Sequence, residues 1–198
     1  NIRIVIPEKT LRVESEWLES KRRRIYVEDY IARVVHKAIL NEKTRIKGSG
    51  KSGLIAIDVP DQEILERTAV KIESNQITIC LSIGLPANGR RINGVEAEKL
   101  FFKALTNILK HSIFSLNKDE LQRSTELADQ HDAIRKKMKE EGWIAFIANG
   151  SILPRESGIS SKPMKNAVPF ESPKENEVSF PIPHRKEPIS GMAIKKGS

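Results

Sequence analysis

This chain is poor in several things, and each shortage narrows what it can be. It has one cysteine, Cys80, in 198 residues. A lone thiol excludes an internal disulfide and fits a reducing compartment. Cys80 lies in the apolar run Ile77-Thr78-Ile79-Cys80-Leu81, which reads as a buried structural cysteine rather than a nucleophile. Aromatic residues make up only 5% of the sequence, so surface for stacking nucleic-acid bases is scarce. There is no apolar run of the ~18 residues that a membrane-spanning helix needs. The opening Asn1-Ile2-Arg3-Ile4-Val5-Ile6-Pro7 is strand-like and resembles neither a signal nor a transit peptide, so the expected location is the cytoplasm. The sequence also lacks an initial methionine and reads as a fragment. His111 has no His or Cys neighbour at metal-ligand spacing, so no metal is expected in this stretch.

Charge is what the chain has in excess, and its placement matters more than its total of +8. Residues 21 to 51 hold ten Lys/Arg against three Asp/Glu, a net of +7. Residues 1 to 20 and 52 to 150 each net −1, and residues 151 to 198 net +3. A local positive patch implies a polyanion partner such as RNA or DNA. A solvated, lysine-rich face is the alternative.

The patch ends in a glycine-rich turn, Lys47-Gly48-Ser49-Gly50-Lys51-Ser52-Gly53. Gly50-Lys51-Ser52 invites comparison with a P-loop, G-x-x-x-x-G-K-[ST], which leaves a strand and enters a helix. The first glycine of that pattern would stand at position 45, which is Arg45. The order of elements is also reversed, because the turn follows a helix-like stretch and feeds the strand-like Leu54-Ile55-Ala56-Ile57-Asp58. No helix N-terminus then stands behind the turn to hold a pyrophosphate. What is left is a loop with exposed backbone N–H groups and two lysines, suited to anions in general or simply solvated.

In chain order, residues 1 to 6 and about 11 to 14 suggest a hairpin turned at Pro7. The basic run Lys21-Arg22-Arg23-Arg24 precedes an amphipathic helix whose inner stripe is Val27, Tyr30, Ile31, Val34, Val35, Ala38 and Ile39. Arg33 and Lys37 share its other face, so a positive surface from Lys21 to Lys51 is expected. Residues 61 to 66 are turned or briefly helical. Thr68–Glu73 and Gln76–Gly84, split by Ser74-Asn75, predict an antiparallel hairpin. Leu85 to Gly94 is a loop carrying Arg90 and Arg91, a second anion-contacting pair if the fold brings them near Lys51. Asn93 and Glu96 predict a capped helix with Ala97, Phe101, Leu105, Ile108, Leu109 and Ser112 inside and with Phe102 and Ile113 widening that stripe, and Asn117 with Glu120 repeat that signal for a long polar helix from Lys118 to Glu141. Trp143 to Ile147 predicts a strand turning at Asn149-Gly150 into Ser151–Pro154. Beyond Ser151 seven of the ten prolines fall between Pro154 and Pro188, and edge strands are expected near Ala167-Val168 and Val178–Phe180. The fold class is α+β: antiparallel and mixed hairpins packed with about three helices, then an irregular proline-rich C-terminal segment.

Several collinear stretches resemble the N-terminal region of the bacterial predicted ATPases of the ABC class. They are Gly48-Ser49-Gly50-Lys51-Ser52-Gly53-Leu54-Ile55, Gln62 to Thr68, Gly84-Leu85-Pro86-Ala87 with Gly89-Arg90-Arg91-Ile92, Ala145 to Arg155, Ala167 to Phe170, and Gly191 to Gly197. The resemblance covers most of the chain from about residue 21 onward. It implies a larger protein whose ATP-binding core, with ATP and Mg2+, lies past the last residue here. Residues 1–150 would then be an accessory domain, and 151–198 an extended segment leading to that core. The family further implies that the fragment alone does not hydrolyse ATP, that its own ATPase core is a partner, and that ABC-type cores pair as homodimers.

Three functions remain open at this point. In the first, the region contacts RNA or DNA through Lys21, Arg22, Arg23, Arg24, Arg33 and Lys37. There the loop Lys47, Gly48, Ser49, Gly50, Lys51 and Ser52 cradles phosphate, with Arg90 and Arg91 beside it. In the second, the loop touches nucleotide held by the core, in cis or across a dimer, and assists its chemistry. In the third, the long polar helix is a scaffold for assembly.

Overall fold

A computed structural model describes residues 1–197, and its contacts divide the chain into two units. The first comprises Asn1–Pro60 and Ile64–Thr125; the second comprises Asp61–Glu63 and Glu126–Ser198.

In the first unit the opening residues do form a strand, β1 (Ile2–Pro7). Residues 11 to 14 add no strand to it; they lead into a short 3-10 turn, Ser15–Leu18, that buries Trp17. A hairpin there would leave the apolar face of β1 with little to cover it. Its real partner is far along the chain. Helix α1 (Lys21–Asn41) follows, its N-terminus capped by the Ser20 hydroxyl, which accepts from Arg23 N–H at 3.0 Å. Strand β2 is only Ile55–Ala56, shorter than the apolar run suggests, while β3 (Val70–Glu73) and β4 (Gln76–Ile83) form the expected hairpin. β4 is the centre of the sheet, with β1, β2 and β3 all antiparallel to it. Its alternate residues Ile77, Ile79 and Leu81 are at most 2% exposed. They pack with Val70 and Ile72 of β3, Ile6 of β1 and the Val27, Ile31 and Val35 stripe of α1. Each such side chain stabilises by about 1.5–3 kcal/mol.

The loop after β4 contains a small hairpin, β5 (Ala87–Asn88) with β6 (Arg91–Ile92). Helix α2 (Gly94–Lys99) is capped as expected, Asn93 Oδ1 accepting from Glu96 N–H at 3.2 Å. A π-helical segment, Leu100–Ala104, joins it to α3 (Leu105–Lys110). The wider turn shifts the phase of the buried stripe. Leu100 and Ala104 therefore point inward together with Leu105 and Ile108, while Phe101 is only half-buried and Phe102, expected on the edge of the buried stripe, is instead 78% exposed. Helix α4 (Lys118–Glu140) starts in this unit, with Asn117 Oδ1 accepting from Asp119 N–H at 2.8 Å, and continues into the next.

In the second unit β7 (Trp143–Ala148) pairs with β11 (Ile189–Lys195), and β11 pairs with β10 (Glu177–Phe180). The turn at Asn149-Gly150 is present, but Ser151–Pro154 does not return along β7. Asn149 instead ties the turn to distant chain: its Oδ1 accepts from Ser172 N–H and Oγ–H, both at 2.8 Å. A separate hairpin, β8 (Arg155–Ser157) with β9 (Ser160–Pro163), follows, and residues 167 and 168 form no strand. Trp143, Phe146 and Phe180 form an aromatic cluster with centroids 5.3 to 6.4 Å apart, packed with Ile182, Ile189 and Ile134.

One buried carboxylate couples α1 to the sheet. Glu28 is 7% exposed, and its Oε1 accepts from Ile72 N–H at 2.9 Å. Burial pushes its carboxyl above the ordinary range, against the Ile72 N–H and the Arg24 charge that favour the anion. A folded-state pKa above the unfolded one means that ionising Glu28 costs stability as pH rises through the folded value. Glu28→Ala leaves the buried Ile72 N–H without an acceptor and lowers stability by about 1–3 kcal/mol in urea titrations. Glu28→Gln keeps the acceptor, recovers most of that loss at pH 7, and flattens the fall in stability that sets in as pH rises through the ordinary carboxylate range and ends once the raised folded-state value is passed.

Candidate functional site

The glycine-rich turn is docked on the loop that follows β4, and two serine hydroxyls make the joint. Ser49 Oγ donates to Ala87 O at 3.0 Å and accepts from Gly89 N–H at 3.0 Å. Ser52 Oγ donates to Ser49 O at 2.6 Å and accepts from Ala87 N–H at 3.1 Å. Backbone bonds reinforce it: Ser49 N–H to Ala87 O at 2.7 Å, Gly53 N–H to Gly84 O and Gly84 N–H to Leu54 O, both at 2.8 Å. Gly84 is required by contact rather than by torsion, since a Cβ there would overlap the Lys51 carbonyl. Gly50 (φ 60°) and Gly53 (φ 80°) take the left-handed backbone the tight turn needs.

This is not a P-loop. The turn leads into β2, not into a helix, and both hydroxyls are consumed internally. In a P-loop the Ser or Thr hydroxyl would meet Mg2+. What faces outward is different. Lys47, Lys51, Arg90 and Arg91 are exposed and make no ion pair among the described residues. The N–H groups of Gly48, Gly50 and Lys51 have no hydrogen-bond acceptor among the described residues. Ammonium, guanidinium and backbone N–H groups bind anions and supply neither a nucleophile nor a base. The fold places the hairpin that carries Arg90 and Arg91 against the lysine turn.

The run at the start of α1 stands elsewhere and is engaged. Lys21 pairs with Glu66 at 2.6 Å, and this bond holds the Glu66 carboxyl below its ordinary range. Arg24 lies 3.7 Å from both Glu28 and Glu66, Arg23 pairs with Glu19, and Arg33 Nε donates to Asp29 at 2.7 Å. Arg22 is half-buried. Lys21 and Arg24 sit beside Glu73 and Ser74, at the Gln76 end of β4, whereas the glycine turn sits at its Gly84 end. Eight residues of strand separate the two groups by about 25 Å. Lys37 is exposed beside a cavity of about 570 Å3 lined by Val34, Asn41, Lys43 and Asn107.

Glu96 does not complete the reciprocal capping box. Its carboxylate accepts from Lys47 N–H at 2.8 Å and lies 3.8 Å from Lys99, while Asn93 N–H goes to Pro86 O. The charge count includes Lys43 and Arg45 without placing them. The signal was their spacing: Lys43, Arg45 and Lys47 alternate with half-buried Glu42, Thr44 and Ile46.

Residues 1–116 match the family model described as the N-terminal region of ATPases of the ABC class. The chain belongs to that family. Residues 117–198 match an ABC ATPase model described as a P-loop domain. This corrects the expectation that the ATPase core lies wholly beyond the last residue, because part of that domain is already here. The matched stretch contains no Gly-Lys-Ser/Thr, so the phosphate-loop motif itself is not in it. No curated protein matches the chain. Among the described residues no helix is long and apolar enough to cross a membrane, and no group of His, Cys, Asp and Glu could hold a metal ion.

The two stretches of the N-terminal region that carry the glycines, 48–53 and 84–92, are thus halves of one interlocked structure. Gly84→Ala unseats the turn. Hydrogen exchange should then accelerate at Ser49, Gly53 and Ala87 amides and stay unchanged at Ile77 and Ile79.

Proposed function

We propose that the N-terminal region of this ABC-class ATPase grips the backbone of a nucleic acid with the interlocked turn and hairpin. Lys47, Lys51, Arg90 and Arg91 supply the charge, and the N–H groups of Gly48, Gly50 and Lys51 orient phosphate oxygens. The observation that carries this reading is the contrast in pairing. Lys21, Arg23, Arg24 and Arg33 are spent on carboxylates, whereas the four cations at the Gly84 end of the sheet are not. Unpaired cations on a rigid frame release counterions when they meet phosphates, and a frame already locked loses little entropy on binding. The ATPase chemistry, with ATP and Mg2+, belongs to the P-loop domain, and this region acts as its contact to the client.

Binding of this kind is dominated by the backbone and steeply salt-dependent. The 198-residue chain is titrated with RNA and DNA oligonucleotides at several salt concentrations. Replacing Lys47, Lys51, Arg90 and Arg91 together by Gln lowers the slope of log K against log salt by up to about 2.8 on single strands, at ~0.7 per phosphate. Replacing Lys21 and Arg23 by Gln changes the slope by less than half as much. An unchanged slope in the fourfold variant removes the proposal.

A further inference from the structure

We propose that the nucleic acid is single-stranded and runs along α2, with its phosphates on Lys43, Arg45 and Lys47 and its bases toward Val95 and Phe102. This rests on the preceding reading and extends it to a track and a strandedness.

The first observation is a pinned ladder of charge. Residues 42–48 form neither helix nor strand, yet their backbone is held along the helix that begins at Gly94. Lys47 N–H donates to Glu96 at 2.8 Å, and Lys99 Nζ donates to the Arg45 carbonyl at 2.6 Å. At the other end, Thr44 N–H donates to Glu42 at 2.7 Å. The bonds use the main chain and leave the three cationic side chains exposed, with no ion-pair partner among the described residues. Alternate residues of an extended chain are about 6.6 Å apart, the order of the separation between neighbouring phosphates of a nucleic-acid strand. The ladder leads directly into Lys51 and the Arg90-Arg91 hairpin, so one backbone can contact both.

The second observation is apolar. Ile92 is 88% exposed, Val95 76% and Phe102 78%, all on the hairpin and helix beside the ladder. Large apolar side chains at that exposure, with a π-helical segment turning Phe102 outward, have no role in the core. A duplex hides the faces of its bases, whereas a single strand presents them for stacking and apolar contact. A positive track flanked by such side chains therefore selects the single strand.

The test uses the 198-residue chain and twelve-nucleotide strands of RNA and of DNA, each alone and as a duplex. Lys43→Gln with Arg45→Gln should lower the salt slope for single strands by about 1.4, at ~0.7 per phosphate. Lys43→Arg with Arg45→Lys should retain it. Phe102→Ala should weaken single-strand binding at least fivefold with the slope unchanged, as expected where stacking is lost but no phosphate contact is. If both ladder and Phe102 variants bind as the parent while Lys51→Gln still lowers the slope, the track is wrong and the loop reading survives. Duplex binding as tight as single-strand binding overturns the strandedness. If no strand binds, both readings fall.

Discussion

Two serine hydroxyls decide what the charged end of the first unit can do. Ser49 and Ser52 each act as donor and acceptor at once, and between them they tie the turn to the backbone of Ala87 and Gly89. Hydroxyls used in this way are turned toward the protein's own main chain. The same bonds fix where the lysines and arginines stand relative to each other. One constraint thus sets the turn apart from a P-loop and gives the proposed holder of negative charge a fixed frame. The close approach of Gly84 to the Lys51 carbonyl is its steric counterpart.

The electrostatics divide the molecule along β4. At the Gln76 end Lys21 and Arg24 meet Glu66, and the buried Glu28 accepts from the sheet. Those contacts join α1 to β3 and serve the fold. At the Gly84 end Glu96 is spent on the Lys47 main chain and on Lys99. Its effect is to hold the basic segment in place without covering the side chains. A net charge computed over residues 21 to 51 cannot see this division, because it gives paired and unpaired cations equal weight.

The sequence made the local elements plain and hid the distant pairings. Periodicity located α1, the β3–β4 hairpin and both asparagine caps, because each depends on neighbours within a few residues. The spacing at Arg45 was enough to reject a P-loop. What was missed has a common cause. β1 pairs with β4 and β7 with β11 across long separations, and no local pattern encodes such a partner. The π-helical segment shifted the buried stripe of the second helix by a fraction of a turn, which a regular 3.6-residue repeat does not anticipate. At the site, the glycine turn and the arginine pair were each legible, but their contact was not, since it runs through serine side chains and main chain. Lys43 and Arg45 were visible only as charge until the alternation of burial placed them.

The central claim is that the Lys47–Gly53 turn holds a polyanion and not a nucleotide. Amide chemical shifts of the labelled chain, recorded during titration with a short oligonucleotide and separately with ATP and Mg2+, address it directly. The account predicts that the oligonucleotide shifts Gly48, Gly50, Lys51 and Gly89 to Arg91 and leaves Arg22 to Arg24 in place, and that ATP with Mg2+ leaves the turn unmoved at concentrations that saturate a P-loop. Shifts of the turn by ATP with Mg2+, and none by the oligonucleotide, would contradict it.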